Sequence, residues 1–274
     1  MLTASPSIDR ERFAAWHREN RQRSRALFDL VAPQAYEDRP IGLRHPIVFY
    51  EGHLPAFNFL TLNRRALHEA AIDEELERLF ERGIDPESES AAAAHTRASW
   101  PSRERVLRFA ESCDAAVRRA LASATLVDAA NPLLDRAQAV YTMLEHEPMH
   151  HETLLYMFHR LSADRKRAPS GRPPLRDVEP PGYRRAVVPA GVATLGATRD
   201  TVAFGWDNEF EAHGVQVAAF EIDVYDVTNA DYLAFVEDGG PAPPFWIERS
   251  GEWRLRTQFD EIALPRSCLL YTSP

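Results

Sequence analysis

The sequence predicts a multidomain α+β protein: an antiparallel four-helix bundle, then a loop-rich unit that contains strands. Three observations carry this. Within residues 8–161, apolar side chains recur every three or four positions in four long stretches. Residues 162–186 are basic and hold Pro169, Pro173, Pro174, Pro180 and Pro181, which reads as a linker. From Val187 the repeat shortens towards two, with β-branched residues and glycine punctuation. At 274 residues, 45% of them hydrophobic, the chain has material for two domains with cores of their own.

The first helix spans Ile8 to Val31, with Phe13, Trp16, Leu27 and Leu30 near one face, and Pro33 ends it. A loop rich in proline and glycine follows, from Tyr36 to Pro46. The second helix runs from about Ile47 to Leu67 and is dense in aromatics around Tyr50-Glu51-Gly52-His53. By itself His53 reads more readily as a core histidine than as a ligand, and Gly52 beside it admits a close neighbour. After a short helix, Arg82-Gly83-Ile84-Asp85-Pro86 reads as a turn and 87–98 as a mobile loop. Pro101 opens the third helix, whose stripe is Val106, Phe109, Cys113, Val117 and Leu121; Cys113 is a small buried hydrophobe on it. Asn131-Pro132 is expected to cap the fourth helix, which extends to about Leu161. Beyond the linker, Val187–Gly196 and Val215–Phe220 read as strands. Val227-Thr228-Asn229 leads into a short helix over Ala230–Val236, ended by Gly239-Gly240.

The fourth helix carries the densest chemistry. Residues 144–153 read Leu-Glu-His-Glu-Pro-Met-His-His-Glu-Thr, three of the chain's ten histidines among them. His146 and His150 stand one turn apart on the same side, a spacing that grips a single first-row metal ion. A solvated His- and Glu-rich face is the plainer alternative, but the apolar flanks Val140, Leu144, Leu154 and Phe158 argue for an interior. His146-Glu147-Pro148-Met149-His150 is also, literally, the H-E-x-x-H of zinc peptidases, with Glu147 as general base. Pro148 opposes that reading, since it removes the bond to the Leu144 carbonyl from a helix that must be regular there. The peptidase remains an alternative.

Net charge is −9, and of 32 basic residues only Lys166 is a lysine, so nucleic acid is not an expected partner. Two cysteines make no disulfide framework, residues 1–30 contain no apolar leader, and no apolar run is long enough to cross a membrane. A cytoplasmic protein with no membrane association is expected.

Taken together, Tyr50-Glu51-Gly52-His53 and the distant His146-Glu147-x-x-His150-x-Glu152-Thr153 resemble the DinB-like four-helix domain of ergothioneine-type sulfoxide synthases. In that family the bundle is joined to a domain like the formylglycine-generating enzyme (sulfatase-modifying-factor-like). Pro189-Ala190-Gly191, Phe204-Gly205-Trp206-Asp207-Asn208-Glu209, His213 and Val227–Tyr232 resemble the start of such a domain. The resemblance, taken with the periodicity, gives a bundle over 8–161, a linker over 162–186 and a partial second domain over 187–265, and leaves 266–274 unlike anything expected there, as a non-native tail. It makes His53 the third metal ligand beside His146 and His150, and Fe(2+) the cofactor. The implied reaction is an O2-dependent, monooxygenase-type C–S bond formation. It joins a thiol, cysteine or γ-glutamylcysteine, to the imidazole of N-α-trimethylhistidine (hercynine). The family's catalytic Tyr and ammonium-binding residues would lie beyond residue 274, so this chain alone is expected to bind iron yet turn over poorly, with apolar surface exposed around Phe245, Trp246 and Trp253.

Some departures and secondary candidates complete the reading. Met149 stands where well-known members have a substrate-contacting Gln. Glu152, about 200° round the helix from His150, is a candidate partner behind the ligands, or a plain surface carboxylate. Arg97 and Arg103 read as surface arginines, a substrate-carboxylate clamp being the sharper alternative. Trp206-Asp207-Asn208-Glu209 reads as a capped turn before a calcium site. The rival functions are a DinB-like metal-dependent thiol transferase using zinc or nickel, and a non-catalytic binding module.

Overall fold

A computed structural model describes residues 9–81, 100–171 and 182–268. The turn expected over Arg82–Pro86, the loop 87–98, Arg97, the linker prolines 173, 174, 180 and 181, and residues 269–274 lie outside these. The chain divides into two compact units, 1–168 and 169–274.

The first unit is helical. Its long helices are α1 (Arg10–Phe28), α2 (Ile47–Phe59), α4 (Arg103–Ser123) and α5 (Gln138–His159), with a short α3 (Glu74–Phe80). Their starts follow local chemistry: Asp9, Asp73 and Ser102 cap α1, α3 and α4 by accepting from backbone N–H groups of the first turn. Helix α2 runs on through a π-helical segment, Leu60–Ala66. Asn131-Pro132 does not begin the fourth helix. Asn131 instead accepts from the Leu133 N–H and donates to the Ala66 carbonyl. Arg136 and Ala137 then take left-handed φ values of 53° and 59°, and α5 starts only at Gln138. The turn-forming capacity of Asn was spent on a loop that ties α5 to the end of α2.

Helix α1 packs along α5 and α2 along α4, around a core that includes Phe49, Leu54, Leu62, Phe80, Leu121, Met143 and Phe158. After α5 the chain returns across the start of the loop: Val31 pairs with Lys166, and the Arg167 N–H donates to the Leu30 carbonyl. The buried face of α1 differs from the expected apolar stripe. Phe13 and Phe28 mark its ends, but His17, Asn20, Arg21 and Ser24 lie between them, all buried, while Trp16 and Leu27 are only partly covered. The reason is on α5, whose facing side presents polar groups that need partners.

The second unit is a set of antiparallel ribbons: β1 (Arg185–Val188) pairs with β4 (Phe220–Asp223), and β2 (Gly191–Leu195) with β3 (His213–Val217). β5 (Trp246–Arg249), β6 (Glu252–Arg256) and β7 (Glu261–Ala263) form a meander. The single expected strand over 187–196 is thus two, broken at Pro189-Ala190. Thr228 and Asp231 form a capping box at the start of α6 (Asn229–Glu237). Asp207–Glu209 is an exposed 3₁₀ turn capped by Trp206, whose N–H donates to the Glu209 carboxylate. Trp246 is not exposed: with Leu233 and Leu255 it forms a small core that Phe245 and Trp253 cover in part, because the β5–β6 hairpin folds its aromatics onto α6. The described part of the expected tail, 266–268, is held to α6: the Asn229 and Ala230 N–H groups donate to the carbonyls of Cys268 and Arg266.

Candidate metal centre

Helices α2 and α5 bring His53, His146 and His150 together. One ring nitrogen from each lies within 4.8 Å of the others, and all three residues are buried. The i, i+4 spacing on α5 sets the first pair, whose Nε2 atoms are 3.1 Å apart. The His53 ring meets them edge-on, its centroid 5.3 Å from that of His146 and 5.1 Å from that of His150.

Each ring is oriented differently. His53 Nδ1 donates to the Phe80 carbonyl at 2.7 Å, which fixes the tautomer and leaves Nε2 as a bare lone pair. That Nε2 is buried and has no hydrogen-bond partner. His146 lies flat against Phe57, centroids 3.5 Å apart, and His150 rests against Tyr50 at 5.6 Å. Gly52, one residue before His53, has the Phe80 ring where a Cβ would stand. The close neighbour that glycine admits is thus the residue whose carbonyl orients His53.

Burial keeps these imidazoles neutral. It lowers His53 to about 4. His146 falls to about 2 and His150 to about 3, where proximity of the other rings adds to burial. A neutral imidazole is the ligand-competent form, so no proton competes for these sites near pH 7.

The remaining motif residues face elsewhere. Glu147 is fully buried, but it is turned towards α1: Arg21 and Ser24 donate to its Oε1 at 2.6 and 2.5 Å, and Asn58 of α2 donates to Oε2 at 2.9 Å. Burial opposes its charge, yet Arg21, Ser24 and Asn58 together hold its pKa below the usual carboxylate value. A carboxylate committed to three donors is not the water-facing base that the peptidase pattern requires. His151 contacts Ser24 at 2.8 Å and does not join the three rings. Glu152 is solvent-exposed, its rotation from His150 carrying it off the inner face, so it does not stand behind the ligands. Met149 is 51% exposed.

Sequence reasoning missed the groups behind the cluster. Arg21 bridges Glu147 to Asp114 of α4, its Nε 2.8 Å from Asp114 Oδ1, and these partners are far apart in sequence. Arg103 is neither a plain surface residue nor a free clamp: it forms a bidentate pair with Glu51 and lies over the Tyr36 ring. Cys113 is fully buried and burial raises its thiol pKa, as a small core residue's should be.

Residues 17–154 match the model of the DinB superfamily, and 176–265 that of the sulfatase-modifying factor enzyme 1-like domain. The chain is 30% identical over 234 residues to ergothioneine biosynthesis protein 1 of Neurospora crassa, covering 77% of this chain and 26% of that protein. It is 26% identical over 262 residues to the protein of the same name from Schizosaccharomyces pombe, covering 82% and 33%. With hercynine oxygenase of Mycolicibacterium thermoresistibile it shares 28% over 236 residues, covering 84% and 46%. The chain therefore spans about a quarter to a half of the length of these curated relatives. Two family models in this order, and relatives matched across both units, place the chain in the ergothioneine-type sulfoxide synthase family.

Proposed function

We propose that the helical unit is the iron-binding half of a non-haem Fe(2+), O2-dependent sulfoxide synthase of ergothioneine-type biosynthesis. It joins a thiol, cysteine or γ-glutamylcysteine, to the imidazole of N-α-trimethylhistidine. The observation that carries the reading is the orphan Nε2 of His53, aimed at two neutral imidazoles 3.1 Å apart. A buried acceptor with no donor is costly unless something occupies it, and a cation held by one nitrogen of each of the three rings would satisfy the orphan Nε2 of His53. When bound, iron supplies one-electron chemistry with dioxygen and a net positive charge that favours an anionic thiol.

The chain's own residues account for the rest. His53, His146 and His150 offer three neutral donors and so leave the ion's charge uncompensated. Phe49, Tyr50 and Phe57 wall the rings with apolar surface, which excludes bulk water and strengthens local electrostatics. Glu147, neutralised by Arg21, adds little charge to the pocket. The thiol-transferase alternative lacks a role for the sulfatase-modifying-factor-like match. Among the described residues neither Cys113 nor Cys268 is in a disulfide, in keeping with a cytoplasmic setting.

The test has two stages. Anaerobic Fe(2+) titration of the chain should show one tight equivalent, and His150→Ala should remove most of it. Oxygen, a thiol and N-α-trimethylhistidine supplied to the protein extended through the relatives' remaining domain should then give the sulfoxide, and none with His150→Ala. A metal-loaded protein that hydrolyses peptides, or makes no C–S product, would overturn the reading.

A further inference from the structure

Helix α5 contains Pro148 midway between His146 and His150, and its missing N–H leaves the Leu144 carbonyl without its helical donor. That carbonyl is buried, yet it is not orphaned. Asn20 Nδ2 of α1, itself 1% exposed, donates to it at 2.8 Å. A side chain 124 positions away thus supplies the hydrogen bond that the proline deletes. α5 stays continuous from Gln138 to His159, although an interior proline ordinarily kinks a helix.

We infer that Asn20 is a positioning residue for the metal centre, acting with Pro148 as one unit that sets the turn between His146 and His150. This role for Asn20 rests on the metal reading above and extends it to a group that touches no ligand. A proline ring in a helix interior clashes with the carbonyl four residues before it, here that of Leu144, and so acts to open that turn. The Asn20 amide then fixes how far it opens and in which direction the carbonyl tilts. His146 follows Leu144 by two residues and His150 follows Pro148 by two, so the opening sets the separation of their Nε2 atoms. Neighbouring contacts cannot replace the amide, because Arg21 and Ser24 on the same face are committed to Glu147.

The experiment is a cycle of Asn20→Ala, Pro148→Ala and the double variant in the full chain, using Co(2+) as the metal probe. Affinity and the visible d–d spectrum are read on one side, and thermal unfolding of the metal-free chain on the other. Asn20→Ala should weaken Co(2+) binding by about 10- to 100-fold, as loss of outer partners does elsewhere, and shift the d–d bands. Adding Pro148→Ala returns a backbone N–H to the Leu144 carbonyl, so the double variant should regain affinity to within about threefold and recover the unfolding midpoint. If Asn20→Ala fails to fold, folding and Co(2+) uptake by the double variant alone still report the rescue. A double variant no better than Asn20→Ala overturns the inference. So does an Asn20→Ala protein that melts earlier but keeps wild-type affinity and spectrum. No Co(2+) uptake by the wild type overturns the metal reading itself, and the metal-free unfolding cycle then still decides whether Asn20 serves the carbonyl.

Discussion

At the scale of single residues, the buried charges and imidazoles make the strongest commitments. Arg21 is the shared counter-charge of Glu147 and Asp114. Arg21→Met should therefore leave buried Glu147 without its counter-charge and Asp114 with Arg25 as its remaining arginine, and destabilise the helical unit by about 3–5 kcal/mol, read from urea unfolding; a change below about 1 kcal/mol would mean the network is dispensable. The imidazoles give a pH signature. In the unfolded chain they protonate as pH falls through about 6.5, while His53 resists until about 4 and His150 and His146 until about 3 and 2. The unfolded state therefore binds more protons across that window, and stability of the metal-free unit should fall as pH drops from about 6.5 towards 4. Glu147 works in the same direction lower down. Its folded pKa is depressed, so its contribution is present above its unfolded value and is lost as pH falls through the lower folded one. Equal urea midpoints at pH 7 and pH 5 would contradict the burial of these rings. The sequence made the His146–His150 pair visible through spacing alone. His53 was visible only beside the family motif, because a lone histidine among aromatics has no periodic signal. The Glu147 partners were invisible, since Arg21, Ser24 and Asn58 are joined to it only by the fold.

At the scale of elements, periodicity located the long helices well, since burying an apolar stripe needs the same spacing in any bundle. It failed where polar groups took the inner positions. The middle of α1 faces inward with His17, Asn20, Arg21 and Ser24 because α5 presents Glu147, His151 and a proline-freed carbonyl, and no hydropathy pattern encodes that. Asn131-Pro132 misled for a related reason: a good cap residue serves a turn equally well. The α2–α3 contact carries a prediction. A Cβ at Gly52 would collide with the Phe80 ring, and Phe80 is fully buried against Phe109, so it cannot step aside freely. Gly52→Ala should cost about 1–3 kcal/mol through overpacking and should also move the carbonyl that orients His53. Metal affinity should then drop together with stability. Unchanged affinity in a destabilised variant would separate α3 from the centre.

At the scale of the molecule, the two units differ in how much they bury. The helical unit holds a continuous core and all three imidazoles. Among the described residues of the other unit, a small cluster around Leu233, Trp246 and Leu255 is buried, while side chains such as Val187, Val192 and Ile222 on its ribbons are exposed. The shortening of the period from helical to strand-like along the chain matches the order found, helices first and ribbons after, because strands and helices bury their faces at different spacings. The contrast in core size could not be read in advance, since composition is pooled over both halves. Calorimetry of the whole chain should consequently show two events. One belongs to the helical unit and is cooperative. The other belongs to the ribbon unit and is weak and early, because little apolar area opposes its conformational entropy. A ligand stabilises only the state that binds it, by RT ln(1 + [L]/Kd), which is about 2.7 kcal/mol at a hundredfold excess over Kd. Adding Fe(2+) or Co(2+) should accordingly raise the midpoint of the helical transition by several degrees and leave the ribbon transition where it was. In His150→Ala neither should move. A metal-dependent shift of both transitions, or of the ribbon transition alone, would mean that the second unit contributes a ligand, and the three-imidazole centre would have to be redrawn with a donor from beyond residue 168.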